Sequence, residues 1–348
     1  MANPGPDFLG ATNTAINVGS QDAISEEEKA LQLELESCKA SLEEARKAVA
    51  DTDFYEMESN SRYGNIYGDT WPRLRAFSGD GKLIVWDTFT SKKIHMIPLK
   101  TAWVMGCAFS PSLNFVASGG LDNIISLFCL KSVNNVAKHV RDLTGHSGYV
   151  GCLRFMDDQH LLSSSGDKTC AYWDVETASI ISSYRGHAND VTAIAVSKQT
   201  PNTFVSSSSD HTCRLWDLRS SEAVQYFEGH QQDVNGVDFF PANAYAFASS
   251  SDDGSCRLWD IRGDQAIGVY IDDFINCGCS SVAISKSGRL LISGYDDFNC
   301  HVWDLLREER VGILSAHENR VCSVTISESG IGVATGSWDT TCLIWTAK

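Results

Sequence analysis

Two hydrophobic periods divide the chain. Between Ser25 and Asp51, apolar residues fall at Leu31, Leu35, Cys38, Leu42, Ala45 and Val49. Their gaps alternate between four and three, which is a heptad stripe with charged residues on the remaining faces. Ser25 with Glu28 makes a capping box, and Glu26 and Glu27 set negative charge on the positive end of the helix dipole. A helix over 25–51 follows from this pattern. Three heptads are marginal alone. The stripe therefore suits a coiled coil with another chain; the alternative is a solvated helix on the protein's own surface. Residues 1–24 are small, polar and aperiodic, and are expected to be disordered.

After Val49 the period drops to two. In the stretch Gly229 to Trp259, residues Val234 to Phe239 alternate as a first strand and Phe247 to Ser251 form a second. Asp252-Asp253-Gly254 turns the chain, Cys256 to Trp259 is a third strand, and Ala266 to Tyr270 supplies a fourth. This unit recurs. An aspartate stands six residues before each of seven rings: Asp80, Asp122, Asp167, Asp210, Asp253, Asp297 and Asp339 precede Trp86, Phe128, Trp173, Trp216, Trp259, Trp303 and Trp345. Successive rings lie 42 to 45 residues apart, and five of the seven read Trp-Asp. Four short strands per period describe a propeller blade, a unit that buries its apolar faces only by stacking on copies of itself. The expected architecture is all-β: a seven-bladed propeller over 52–348, preceded by the coiled-coil helix.

Composition narrows the function. A net charge of −16 argues against nucleic acid, whose phosphates demand clustered Lys and Arg. The twelve cysteines sit mostly in apolar strand-like stretches, as buried free thiols do in a reducing compartment. Cys277-Gly-Cys279 lacks a second half at zinc-site spacing, so no metal or cofactor is expected. No apolar run approaches the ~20 residues of a membrane span. The opening residues do not read as a signal peptide, and Thr346-Ala-Lys348 is not a prenylation motif. There is no Gly-x-Ser-x-Gly elbow, phosphate-binding loop or His-Glu-x-x-His, and an enzyme is not expected.

The array resembles the WD-repeat family, in which His, Ser or Thr, Asp and Trp tie each blade together. The matching tetrads here would be His146, Ser165, Asp167, Trp173; His187, Ser208, Asp210, Trp216; His230, Ser251, Asp253, Trp259; and His317, Ser337, Asp339, Trp345. Their His–Asp pairs look like catalytic dyads. Recurrence and the need of buried polar groups for partners favour a structural role.

Finer wording resembles the beta subunits of heterotrimeric G proteins. The stretches that carry it include Ala45 to Asp51, Asp80 to Asp87, Trp103-Val-Met105, Gly119 to Asn123, Asp252 to Leu258, Lys286 to Leu291, Gly294 to Cys300 and Gly336 to Asp339. The resemblance implies a non-enzymatic transducer whose narrow face holds a GDP-bound alpha subunit, and effectors after release. The matching contact positions are Lys82, Ile84, Lys93, Trp103, Met105, Leu121, Asn123, Ser147, Tyr149, Asp190, Thr192, Asp233, Asp252 and Trp338. Ser147 and Thr192 stand where that family usually has Thr and Met, and Thr192 is expected to weaken or shift partner preference. Read from the residues alone, Trp103 and Met105 would instead fit the core of the second blade.

The resemblance also implies that Leu31, Leu35, Cys38, Leu42, Ala45 and Val49 pair with a gamma subunit or gamma-like segment. The protein would then be cytoplasmic, reaching the inner face of the plasma membrane only through the partner's lipid. A general WD scaffold in a multiprotein complex is the alternative. The first repeat departs from the pattern: Gly64 to Phe77 is short and interrupted by Pro72, so a loosely closed first blade is expected. The segment Asp51 to Arg62 should supply the outer strand that closes the ring on the last blade.

Overall fold

The computed structural model describes residues 58–59, 81–88, 90–131, 137–263, 265–327 and 329–346. All belong to the compact unit Val49–Lys348. The expected disordered segment 1–24, the helix 25–51 and the irregular first half of the first repeat lie outside the described residues.

The first element among the described residues is the strand β1 (Glu58–Ser59), and the next are β2 (Lys82–Asp87) and β3 (Lys92–Pro98), which form a hairpin. Four-stranded antiparallel meanders follow. The first contains β4 (Val104–Phe109), β5 (Phe115–Gly120), β6 (Ile124–Cys129) and β7 (Lys138–Thr144). The second contains β8 (Val150–Phe155), β9 (His160–Ser165), β10 (Thr169–Asp174) and β11 (Ser179–Arg185). The third contains β12 (Val191–Val196), β13 (Thr203–Ser208), β14 (Thr212–Asp217) and β15 (Ala223–Glu228). The fourth contains β16 (Val234–Phe239), β17 (Ala246–Ser251), β18 (Cys256–Asp260) and β19 (Ala266–Tyr270). The fifth contains β20 (Cys279–Ile284), β21 (Leu290–Tyr295), β22 (Asn299–Asp304) and β23 (Glu309–Ser315). Last come β24 (Val321–Ile326), β25 (Gly332–Ser337) and β26 (Cys342–Thr346), whose fourth strand is β1.

The seven-bladed expectation is thus met in part. Among the described residues there are six four-stranded sheets and one two-stranded sheet, β2–β3. The first repeat supplies only that hairpin, because the residues that would precede β2 in its sheet, 60–80, are outside the description. The outer strand of the last sheet does come from the segment around Asp51 to Arg62: among the described residues, Glu58 and Ser59 pair with Thr346 and Trp345.

Burial explains the alternation of strand character. Second strands are covered on both faces, and their small residues let sheets pack closely: β9, β13 and β17 end in Ser-Ser-Ser, every one of these serines fully buried. Outer strands such as β11 and β15 are mostly solvated on their first residues. Inner strands β4, β8, β12, β16, β20 and β24 neighbour one another in that order. Gly106 is required by this approach, since a Cβ there would lie 2.8 Å from the Gly151 carbonyl of the next inner strand.

A β-bulge recurs at the second residue of each inner strand. The shift falls between Val104 and Gly106, Val150 and Cys152, Val191 and Ala193, Val234 and Gly236, Cys279 and Ser281, and Val321 and Ser323. A bulge leaves its extra residue out of the ladder and re-aims its side chain. The residues so released are Met105, Gly151, Thr192, Asn235, Ser280 and Cys322. Three of them stitch sheet to sheet: the Thr192, Asn235 and Ser280 side chains donate to the Val234, Cys279 and Val321 carbonyls of the following inner strand.

The polar clamp inside each blade differs from expectation in one member. The tetrad hydroxyls are Ser163, Ser206, Ser249 and Thr335, not Ser165, Ser208, Ser251 and Ser337. In the second meander, Trp173 Nε1 donates to Ser163 Oγ at 2.8 Å, His146 Nε2 lies 2.7 Å from that oxygen, and His146 Nδ1 lies 2.8 Å from Asp167. The same chain runs through Trp216, Ser206, His187 and Asp210, through Trp259, Ser249, His230 and Asp253, and through Trp345, Thr335, His317 and Asp339. The strand-end serines instead cap the turn: Ser165 Oγ donates to the Gly148 carbonyl and accepts from the Asp167 amide. Only the hydroxyl two residues farther from the turn stands level with both indole and imidazole.

One proton arrangement satisfies every member. The indole N–H donates to the hydroxyl, the hydroxyl to Nε2 of a neutral imidazole, and Nδ1–H to the carboxylate. Burial holds His187 and His230 below the usual histidine range, against the raising effect of their aspartates. Burial pushes Asp167, Asp210, Asp253 and Asp339 upward, but hydrogen bonds from imidazole, hydroxyl and amide prevail and hold all four below the usual carboxylate range.

Candidate protein-docking face

One backbone bond recurs at the same end of every meander. The residue that follows the second strand donates to the carbonyl of the residue that precedes the inner strand. The pairs are Leu121 to Trp103, Gly166 to Tyr149, Ser209 to Asp190, Asp252 to Asp233, Asp296 to Gly278 and Trp338 to Arg320. Seven of the sequence candidates occupy these equivalent places: Trp103, Leu121, Tyr149, Asp190, Asp233, Asp252 and Trp338. The repeat geometry therefore sets them around one rim.

The apolar members point to solvent. Trp103 is 62% exposed, Trp338 61%, Leu121 50% and Met105 43%. Met105 and Trp103 are not core residues, as their place beside a buried strand alone would suggest. Met105 is the bulge residue of β4, and Trp103 is held outward where Gly120 lets the backbone abut it; a Cβ on Gly120 would meet the Trp103 carbonyl at 2.0 Å. The tight packing expected of Ser118-Gly119-Gly120 is thereby realised. Arg320 covers Trp338, its guanidinium carbon 4.5 Å from the ring centroid.

Polar candidates brace the rim. Asn123 Nδ2 donates to the Ser147 carbonyl at 3.2 Å, tying two meanders, and the Ser147 amide donates to Asp167. The Tyr149 hydroxyl donates to Asp190 at 3.0 Å, and burial with that carboxylate pushes it up to about 12. Burial and then the charges of Asp233, Asp296 and Asp253 raise Asp252, which accepts from Asn235 at 2.6 Å.

Four candidates stand apart. Lys82 and Ile84, half-buried on β2, begin a strand at the same end as the rim. Lys93 does not: it pairs with Trp86 near the opposite end of the β2–β3 hairpin, its Nζ 5.1 Å from the indole centroid. Thr192 is half-buried, and its hydroxyl is committed to Ser207 and the Val234 carbonyl.

Sequence reasoning missed two features. The clamp hydroxyls were legible in a spacing: each stands ten residues before its tryptophan, and Ser293 does so for Trp303. There His301 of β22 meets the turn aspartate, its Nε2 2.8 Å from Asp297, while its Nδ1 faces Arg310 and Ser293 donates to its backbone carbonyl. The second is the loop after β19, where Phe274 is 90% exposed beside a cleft of about 480 Å³ lined by Asp252, Asp253, Asp272 and Asp273. Its only sequence signal was an aromatic residue set among aspartates. Among the described residues no cluster of His, Cys, Asp and Glu is arranged for a metal ion.

Residues 60–346 match the family model described as G protein beta WD-40 repeat protein. The chain belongs to this family. Among similar proteins, the guanine nucleotide-binding protein subunit beta of Lymnaea stagnalis is 51% identical over 92% of this chain and all of its own length. The guanine nucleotide-binding protein G(I)/G(S)/G(T) subunit beta-1 of Homarus americanus is 47% identical over 90% of this chain and 98% of its own. Membership accounts for the His–Asp pairs without catalysis: the family is one of non-enzymatic WD-repeat propellers, and here each pair is consumed in a blade clamp.

Proposed function

We propose that this chain is the beta subunit of a heterotrimeric G protein, a transducer that holds a GDP-bound alpha subunit on its rim and regulates effectors after release. The observation that carries this reading is the exposed set Trp103, Met105, Leu121 and Trp338 at equivalent sheet ends, with Asp190, Asp233 and Asp252 around it. Exposed tryptophans ringed by charge are the anatomy of a docking site, an apolar centre with a polar rim that fixes register.

The propeller closes as seven blades, with β2–β3 as the outer half of the seventh. The heptad positions Leu31, Leu35, Cys38, Leu42, Ala45 and Val49 pair with a gamma subunit or gamma-like segment. No helix among the described residues is long and apolar enough to cross a membrane. The chain works in the cytoplasm, at the inner face of the plasma membrane, through a lipidated partner.

Co-expression with a panel of gamma and gamma-like chains, followed by capture on immobilised GDP-bound alpha, tests both claims. A gamma chain should co-purify, and capture should fail with the activated alpha subunit. If no panel member co-purifies and no alpha subunit is retained, the general WD scaffold becomes the better reading.

A further inference from the structure

Two thiols meet across a seam between sheets. Cys256 of β18 and Cys279 of β20 are both fully buried, and their sulfurs lie 3.5 Å apart. Tyr295 closes the site, its hydroxyl 3.8 Å from Cys256 Sγ and donating to the Gly254 carbonyl at 3.2 Å. A disulfide needs sulfurs about 2.05 Å apart. The remaining gap is about 1.5 Å, to be shared between two sheets that already touch.

The backbone bearing both thiols borders the acidic cleft. Asp252 and Asp253 on its wall lead into β18, and Cys277 and Gly278 lead into β20. The cleft therefore brings a small neutral oxidant up to the backbone that carries both thiols, and the last step to the buried sulfurs needs the seam to open. We propose that Cys256 and Cys279 form an oxidisable dithiol that closes to an inter-sheet disulfide under hydroperoxide.

The chemistry balances as follows. One thiol loses its proton and attacks hydrogen peroxide as the thiolate: the O–O bond breaks, an S–O bond forms, and the departing hydroxide takes up that proton and leaves as water. The second sulfur then attacks the sulfenic sulfur, the S–O bond breaks, the S–S bond forms and a second water leaves. Two thiols are oxidised by two electrons, and one hydroperoxide is reduced by two. Burial, followed by the Cys256 contact, pushes the Cys279 thiol well above its usual range. Reaction consequently follows local opening of the seam. The bridge would close a loop of 23 residues in the unfolded chain and fix the Asp252 turn against the 277–279 segment.

Peptide mapping tests the proposal. The native protein, with its co-expressed partner, is treated with hydrogen peroxide, alkylated and digested with trypsin without reduction. Cys256 falls in peptide 220–257 and Cys279 in peptide 263–286. The expected product is these two peptides joined, lighter by two hydrogens, with fragmentation placing the bridge at Cys279. It should form equally in a Cys277→Ser variant, vanish on dithiothreitol, and raise the thermal midpoint reversibly. Recovery of both peptides unlinked, or a bridge through Cys277, overturns the proposal.

Discussion

Substituting Ser206→Ala removes one oxygen from the centre of a buried chain. That oxygen accepts the Trp216 indole N–H at 2.8 Å and faces His187 Nε2 at 2.7 Å. Trp216 is fully buried and His187 6% exposed, so water cannot replace the lost partner. A buried polar group left without a partner costs roughly 1–3 kcal/mol, and two are orphaned here. The expected destabilisation is about 3 kcal/mol, against a total that is typically ~5–15 kcal/mol. Ser208→Ala provides the contrast. Its hydroxyl is buried but serves the Asp210 amide and the Asn189 carbonyl at 3.1 and 3.2 Å, and those two residues are partly or fully exposed. About 1 kcal/mol is expected there. Urea unfolding of both variants, monitored by tryptophan fluorescence and carried in the same purified complex, measures the difference. If Ser208→Ala costs as much as Ser206→Ala, the clamp has been assigned to the wrong hydroxyl.

Trp338→Ala should weaken capture by GDP-bound alpha by about 2 kcal/mol or more, roughly 30-fold, while leaving the thermal midpoint unchanged; calorimetry of the purified complex reads the first and a melt the second. Thr192→Val should do the reverse, costing about 1 kcal/mol of stability through the lost Ser207 and Val234 bonds while alpha affinity holds. Acidification should destabilise the fold in two stages. His187 and His230 have folded values below 6.5, so the unfolded chain binds protons first and stability falls as pH drops through that value. The four tetrad aspartates sit below 3.8, so their contribution is present above that value and lost beneath it. Urea midpoints between pH 7.5 and 4 should fall monotonically; a maximum at pH 5 would contradict the neutral-imidazole arrangement.

Most of the architecture was legible because repetition amplifies weak signals. A single four-residue apolar run is ambiguous, but the Asp-to-ring spacing repeated at seven places fixes the turn and the third strand together. Alternation cannot resolve position along a strand, and there the reading slipped. Ser163 and Ser165 share a face of β9, and only the distance to the indole decides which one it meets. The bulges are a second blind spot. Period-two reasoning puts Met105 beside Val104 in a buried strand, yet a one-residue shift sends it to solvent. The apolar rim thus depends on an irregularity that hydrophobic patterning cannot show.

That irregularity also explains how one fold serves two demands. Each inner strand spends its bulge residue differently. Thr192, Asn235 and Ser280 donate to the next sheet and bind the ring together, whereas Met105 is left outward beside Trp103. The repeat that departs furthest is the first. Ten residues before Trp86 stands Ala76, which has no hydroxyl, and Trp86 Nε1 is buried without a partner among the described residues. The Trp86 indole N–H thus lacks the hydroxyl partner that Trp173, Trp216, Trp259 and Trp345 have. Stability should accordingly be lowest around the first repeat and highest in the meanders that carry full tetrads. Hydrogen exchange decides this directly: residues 82–98 should lose protection before 203–228, and equal protection would mean that the missing hydroxyl is compensated by contacts the clamp does not make.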